Sequence, residues 1–204
     1  MHRPSPGSVR AFWRWFAEHA DTLREPLPEP ALYDQLFARL RYVHPDLVCE
    51  VGIADDSTGE LLLSAGGIKA AFGTVRALAE AAPSLPGWRV VAFKPRRGAE
   101  ATVELPGNRR VRSADVWFRL RPHAPGTVAL DLYVSGGLDP EDEGMVAALF
   151  VLLDAALGEV DVATRIGPIT WDRASASPAL EGLHPFRDLP ERFDAMVPSK
   201  RESG

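Results

Sequence analysis

Six side chains have the types and spacing from which a binding or reactive surface is built: Glu50, Trp117, Arg119, Arg121, Asp131 and Tyr133. From Asp115 to Leu120, and again from Thr127 to Ser135, apolar residues alternate with aromatic or charged ones. Successive side chains of a strand point to opposite faces, so this alternation sorts the residues. With Val116, Phe118, Leu120, Val128, Leu130, Leu132 and Val134 turned to helices, Trp117, Arg119, Arg121, Asp131 and Tyr133 share the other face, which Glu50 is expected to join from an earlier strand. Aromatic rings bring contact area and arginine brings oriented donors, so such a face suits a protein partner or a small anionic ligand. The competing expectation roofs the face with the helix around Phe12–Phe16 and makes Arg119–Asp131 a cross-strand pair.

Other chemistry-bearing types give less. The five histidines are scattered, with no His-x-His or His-x-x-x-His spacing, and the single cysteine, Cys49, sits on the apolar side of a predicted strand, where an inert thiol is expected. No Gly-x-Ser-x-Gly elbow surrounds any serine. Ser64-Ala65-Gly66-Gly67-Ile68-Lys69 places glycines and a lysine before a predicted helix, where backbone N–H groups could hold an anion. The motif lacks Walker spacing, and a Gly-Gly step also serves simply to turn the chain. The acids at 139 and 141–143 read as helix capping rather than a metal cluster. No catalytic set, cofactor motif or metal-ligand set emerges.

The elements that must position these residues follow from periodicity and breakers. Ser8 reads as the N-cap of a helix to about Arg24, with Phe12, Trp15, Phe16 and Leu23 on its apolar stripe. Prolines at 26, 28 and 30 interrupt the chain before a second helix, 31–42. A layout of two strands, a glycine-rich step, a helix and a strand then occurs twice, at 47–95 and 115–171. In the first copy the helix is Ile68–Ala81, after a hairpin turn at Asp55–Gly59; in the second it ends at Gly158, and Val160–Trp171 is the last strand. Between the copies lies a basic hairpin, 101–112, turning at Pro106-Gly107-Asn108; a docking tail, 178–196, and a mobile end, 199–204, complete the chain. The expected architecture is a single α+β domain over 1–198: one mainly antiparallel sheet from two ββαβ units, with a helical pair at 8–43 in front. Residue identity between the copies is poor, so the layout is a firmer reading than a duplication.

Composition sets the outer limits. The chain has 204 residues, 46% hydrophobic and 25% charged, enough to fill a core, and no apolar run long enough to span a bilayer. A net charge of −5 argues against bulk nucleic-acid binding. From Arg89 to Arg121, however, nine basic residues face three acidic ones, a local charge of +6 that leaves −11 for the remainder. That segment is either an anion-binding face or a hairpin whose charges are paired.

Several motifs recur in a familiar order: Phe12-Trp13-Arg14-Trp15-Phe16, His44-Pro45-Asp46-Leu47, Ser64-Ala65-Gly66-Gly67-Ile68, Ala82-Pro83 with Gly87-Trp88, and Ala92-Phe93-Lys94-Pro95-Arg96. Asp115-Val116-Trp117-Phe118, Leu153 to Glu159, and Leu189-Pro190 with Phe193 continue the series. Together they resemble a family of small bacterial proteins, a domain of unknown function, opening with a Phe-Trp-x-Trp-Phe helix. The resemblance spans nearly the whole chain and implies a free-standing cytoplasmic bacterial protein, but no activity, cofactor or catalytic residue. The expectation is therefore a non-catalytic binding or protein-interaction module. The alternative is an enzyme acting on a small anionic substrate through the Arg/carboxylate cluster.

Overall fold

The computed structural model describes residues 4–25, 29–54, 57–135 and 142–197. The fold is α+β, and the chain divides into two compact units, Met1–Lys94 and Pro95–Gly204. The strands form two principal sheets and a separate two-stranded ribbon, where the sequence suggests one sheet.

In the first unit, α1 (Pro6–Leu23) and α2 (Pro30–Val43) precede β1 (Val48–Ile53), β2 (Gly59–Ser64), α3 (Phe72–Glu80) and β3 (Trp88–Ala92). Ser5, not Ser8, caps α1: its hydroxyl accepts the Ser8 N–H at 3.0 Å, and Pro6 suits the first turn, where no N–H is needed. The aromatic stripe of α1 is buried inside this unit. Trp13 Nε1 donates to the Leu78 carbonyl of α3 at 2.9 Å, and Phe16 meets the Trp88 ring edge-on at 5.0 Å between centroids. Gly59 lies so close under the Trp88 indole that a Cβ there would stand 2.8 Å from the ring. β1 and β2 pair antiparallel, and β3 returns parallel to β2. Phe93, immediately after β3, holds a left-handed φ of 66°, rare for a bulky residue, while its N–H donates to Leu63 and its ring packs on Phe72. Asp55 and Asp56 of the predicted β1–β2 turn lie outside the described residues.

The second unit contains the ribbon β4 (Thr102–Leu105) and β5 (Arg109–Arg112), then β6 (Val116–Pro122), β7 (Val128–Val134), α4 (Glu143–Leu157), α5 (Glu159–Arg165) and β8 (Ile166–Arg173). The tail supplies a two-residue strand, β9 (His184–Pro185), and α6 (Leu189–Met196). Sheet order is β8-β7-β6-β9, with β8 parallel to β7 and the other pairs antiparallel. Both units thus repeat one topology: a hairpin, a crossover helix, and a third strand parallel to the second. The ribbon turns where expected, with positive φ at Gly107 and Asn108.

In the second unit two boundaries differ from the sequence expectation. The residues from Glu159 to Arg165 are helical, not strand: Gly158, at φ 81°, ends α4 and begins a further short helix. The described helix α4 is capped by Asp142, whose carboxylate accepts the Met145 N–H at 3.0 Å; Asp139, the predicted cap, lies outside the described residues, as does the end predicted mobile at 199–204. The core of this unit joins Val116, Phe118, Leu130 and Leu132 to Leu149, Leu153, Phe186 and Phe193. Among the described residues no helix is long and apolar enough to cross a membrane.

Candidate functional site

The β6–β7 register matches the face predicted from alternation. Trp117 stands opposite Tyr133 and Arg119 opposite Asp131, while Val116, Phe118 and Leu120 pair with Val134, Leu132 and Leu130 on the core side. Five of the six predicted residues therefore share one face. The sixth does not: Glu50 is an exposed residue of β1 in the other sheet, its Oε1 3.7 Å from Lys94 Nζ.

Direct opposition does not make the predicted Arg119–Asp131 pair. Arg121, one pleat further along, reaches Asp131 with a two-pronged contact, Nε to Oδ2 and Nη2 to Oδ1, both 2.7 Å. Thr170 of β8 donates its hydroxyl to Oδ1 at 2.8 Å. Arginine's planar fork matches a carboxylate in this way. The Arg121 fork holds the Asp131 carboxyl below the usual carboxylate range; burial works against it, and Thr170 and the charges of Arg121 and Arg119 add to it. Such a group is an occupied anion, not a general acid. Arg119 instead turns to the tail and donates from Nη2 to the Glu181 carbonyl at 2.7 Å; among the described residues it has no carboxylate partner.

Trp117 and Tyr133 are half-buried. Trp117 also lines a half-open groove of about 820 Å³ between the end of the ribbon and the tail. Glu100 and Arg112 stand on the ribbon side and Pro185 and Arg187 on the tail side, with the buried Ser113 and Phe186 beneath. The Ser113 hydroxyl is engaged by the Ala101 N–H at 3.1 Å, and the Arg112 guanidinium is forked onto Asp115 at 2.7 and 3.0 Å. Arg187 is 71% exposed, with Asp188 at 3.7 Å. The sequence reading missed Thr170, Glu181 and Arg187. Thr170 was legible by alternation within its strand, but Glu181 and Arg187 are brought beside the sheet by the pairing of β9 with β6, which nothing in the two residues of β9 announces.

Six of the nine basic residues of the segment meet a carboxylate. Arg89 binds Glu60, Lys94 approaches Glu50, Arg96 binds Asp161 and Asp194, Arg109 binds Asp142, Arg112 binds Asp115, and Arg121 binds Asp131. These acids come from all along the chain, which is why a local charge count overstated the field. Arg96 also donates to the Leu157 carbonyl and, with Arg165, lies over the Phe193 ring, tying α6 to the α4–α5 junction.

The remaining motifs have structural roles. Gly66 and Gly67 hold positive φ at 55° and 81°, the Gly66 N–H donates to Ser64 Oγ, and the Ile68 N–H donates to Ala65. A 3₁₀ turn at Lys69–Ala71 separates the glycines from α3, so they are not at a helix N-terminus and the anion-site expectation loses its geometry. Cys49 is buried; burial, aided by the neighbouring Glu50 charge, pushes its thiol up to about 12. Among the described residues no group of three or more His, Cys, Asp or Glu side chains is placed to hold a metal ion. No protein-family model, no curated protein and no solved structure matches this chain.

Proposed function

We propose that the chain is a non-catalytic protein-interaction module that binds its partner through Trp117, Arg119 and Tyr133 on the second sheet and through the adjoining groove. The observation that carries this reading is the state of the face: its central carboxylate, Asp131, is held ionised by Arg121 and Thr170, while two large aromatics beside it remain partly exposed to water. Catalysis by acid and base wants a carboxyl tuned toward neutral pH, and this one is tuned away from it. Partly exposed Trp and Tyr flanked by an arginine are the residue types that anchor protein interfaces. The resemblance to bacterial proteins with a Phe-Trp-x-Trp-Phe helix supports a partner from the bacterial cytoplasm.

Affinity capture from a bacterial lysate, comparing the native sequence with Trp117→Ala and Arg119→Glu, tests this reading. A specific protein retained by the native chain and lost from both variants is the expected result. A protein retained equally by all three would remove the face from the account. The groove supports a second reading, an enzyme for a small anionic substrate, because about 820 Å³ lies in the range of small-ligand pockets. Thermal stabilisation by a small anion that disappears in Trp117→Ala and Arg187→Ala, with no protein captured, would favour it.

A further inference from the structure

β8 is an edge strand of eight residues, and from Thr170 to Arg173 it is exposed. The Ala174 N–H donates to the Val134 carbonyl of β7. In a parallel ladder the N–H and C=O of one residue point to the same side, and the side alternates. Thr170, Asp172 and Ala174 therefore direct their backbone groups into the sheet, and Ile169 and Trp171 direct theirs outward; beyond them the Arg173 N–H is taken by Asp172 Oδ1 at 2.7 Å. Pro168, which lacks an N–H, falls on the inward set, next to the register shift between Val128 and Leu130, so it does not interrupt the outer edge. Trp171 keeps 37% of its surface exposed, and Ile169 is half-buried on the same side of the sheet. An edge of this kind is a template for another strand.

We propose that this edge pairs with β8 of a second copy of the chain, antiparallel, about a two-fold axis through Thr170. The sequence is self-complementary in that register. Ile169 falls opposite Trp171 of the second copy, and Trp171 opposite its Ile169. Both are outward-directed residues, so each pair exchanges two main-chain hydrogen bonds and makes an aromatic–β-branched contact, a favoured cross-strand combination. Thr170 meets Thr170 of the second copy on the axis, Asp172 falls opposite Pro168 and Arg173 opposite Gly167, so no like charges are opposed. Moving the axis to Asp172 would place two carboxylates against each other, and moving it to Trp171 would put Ile169 opposite Arg173. The Thr170 register is thus selected by side-chain chemistry as well as by backbone direction. A single strand pair buries less than a standard interface, so the dimer is reversible and concentration-dependent.

Sedimentation velocity over a hundredfold concentration range should show a rising dimer fraction, and Trp171→Lys should weaken self-association at least tenfold. Thr170 pairs without hydrogen bonds across the axis, where Cα atoms lie about 4.5 Å apart, within disulfide range. Thr170→Cys should therefore give a disulfide-linked dimer under mild oxidation, and Asp172→Cys should not; the native Cys49 is buried and supplies no competing thiol. A chain that stays monomeric at every concentration overturns the proposal. So does a dimer that Trp171→Lys leaves intact, or cross-linking that is equal at the two cysteines.

Discussion

Each unit carries one acid on its central strand, and the two are satisfied from opposite sides. Glu60 of β2 is met by Arg89 from the parallel strand β3, at 2.9 Å. Asp131 of β7 is met by Arg121 from the antiparallel strand β6, and by Thr170 from the parallel one. The larger contrast lies in what is attached to the common topology. The first unit is completed by α1 and α2, which bury Phe12, Trp13, Trp15 and Phe16 to 4% exposure or less. The second is completed by a ribbon and a tail, which close the β6 edge with β9 but leave Trp117 half-buried at a groove. A repeated topology thus buries its aromatics where helices complete the sheet, and leaves aromatics at the rim where short segments complete it.

Core truncation should break this contrast most strongly. Phe16 is fully buried, and Phe16→Ala should cost about 3–5 kcal/mol in denaturant unfolding, whereas Trp117→Ala should cost less because part of its surface already meets water. Equal losses would mean that Trp117 is a core residue. Next in size is Gly59→Ala, whose Cβ would meet the Trp88 indole at 2.8 Å; about 1–3 kcal/mol should be lost, with a change in Trp near-ultraviolet dichroism that an unstrained site would not show.

Acid should act on the second unit in a defined direction. Asp131 and Asp194 are held below the usual carboxylate range, chiefly by Arg121 and Arg96 respectively, and Asp142 chiefly by Arg109. Their contribution is fully present above the unfolded carboxylate value of about 3.9 and is lost as pH falls through their folded values. Asp131→Asn should cost about 1 kcal/mol at neutral pH and flatten the fall in thermal midpoint below pH 4; an unchanged pH profile would deny the pairing an energetic role. The smallest effect concerns Cys49, which should resist maleimide at neutral pH until the chain is unfolded; rapid labelling of the native chain would contradict its burial.

The β6–β7 face was legible because period-two alternation is a local signal that fixes side-chain direction before any partner strand is known. The same signal could not say which arginine would take Asp131, since that depends on side-chain reach along the pleat, nor bring Glu50 to the face, since alternation carries no information about which sheet a strand joins. The stretch from Val160 to Arg165 looked like strand because its valines and threonine favour one. Gly158 instead restarts a helix, and Arg165 donates to Asp161 one turn earlier. The tail was the least legible part. His184–Pro185 becomes a strand only because β6 offers an open edge, a tertiary effect without a sequence signature. The left-handed Phe93 is likewise hidden, because aromatic residues rarely adopt that conformation and nothing in its neighbours demands it.

On the proposed reading, the second sheet's aromatic face, and not the aromatic residues of the first unit, meets the partner. Site-specific photo-cross-linking tests it most directly, with a benzoylphenylalanine placed in turn at Trp117, at Tyr133 and at Tyr42, which is 78% exposed in the first unit. The same discrete protein adduct should form from positions 117 and 133 and none from 42. An adduct from 42 alone, or none from 117 and 133 in lysate where capture succeeds, would contradict it.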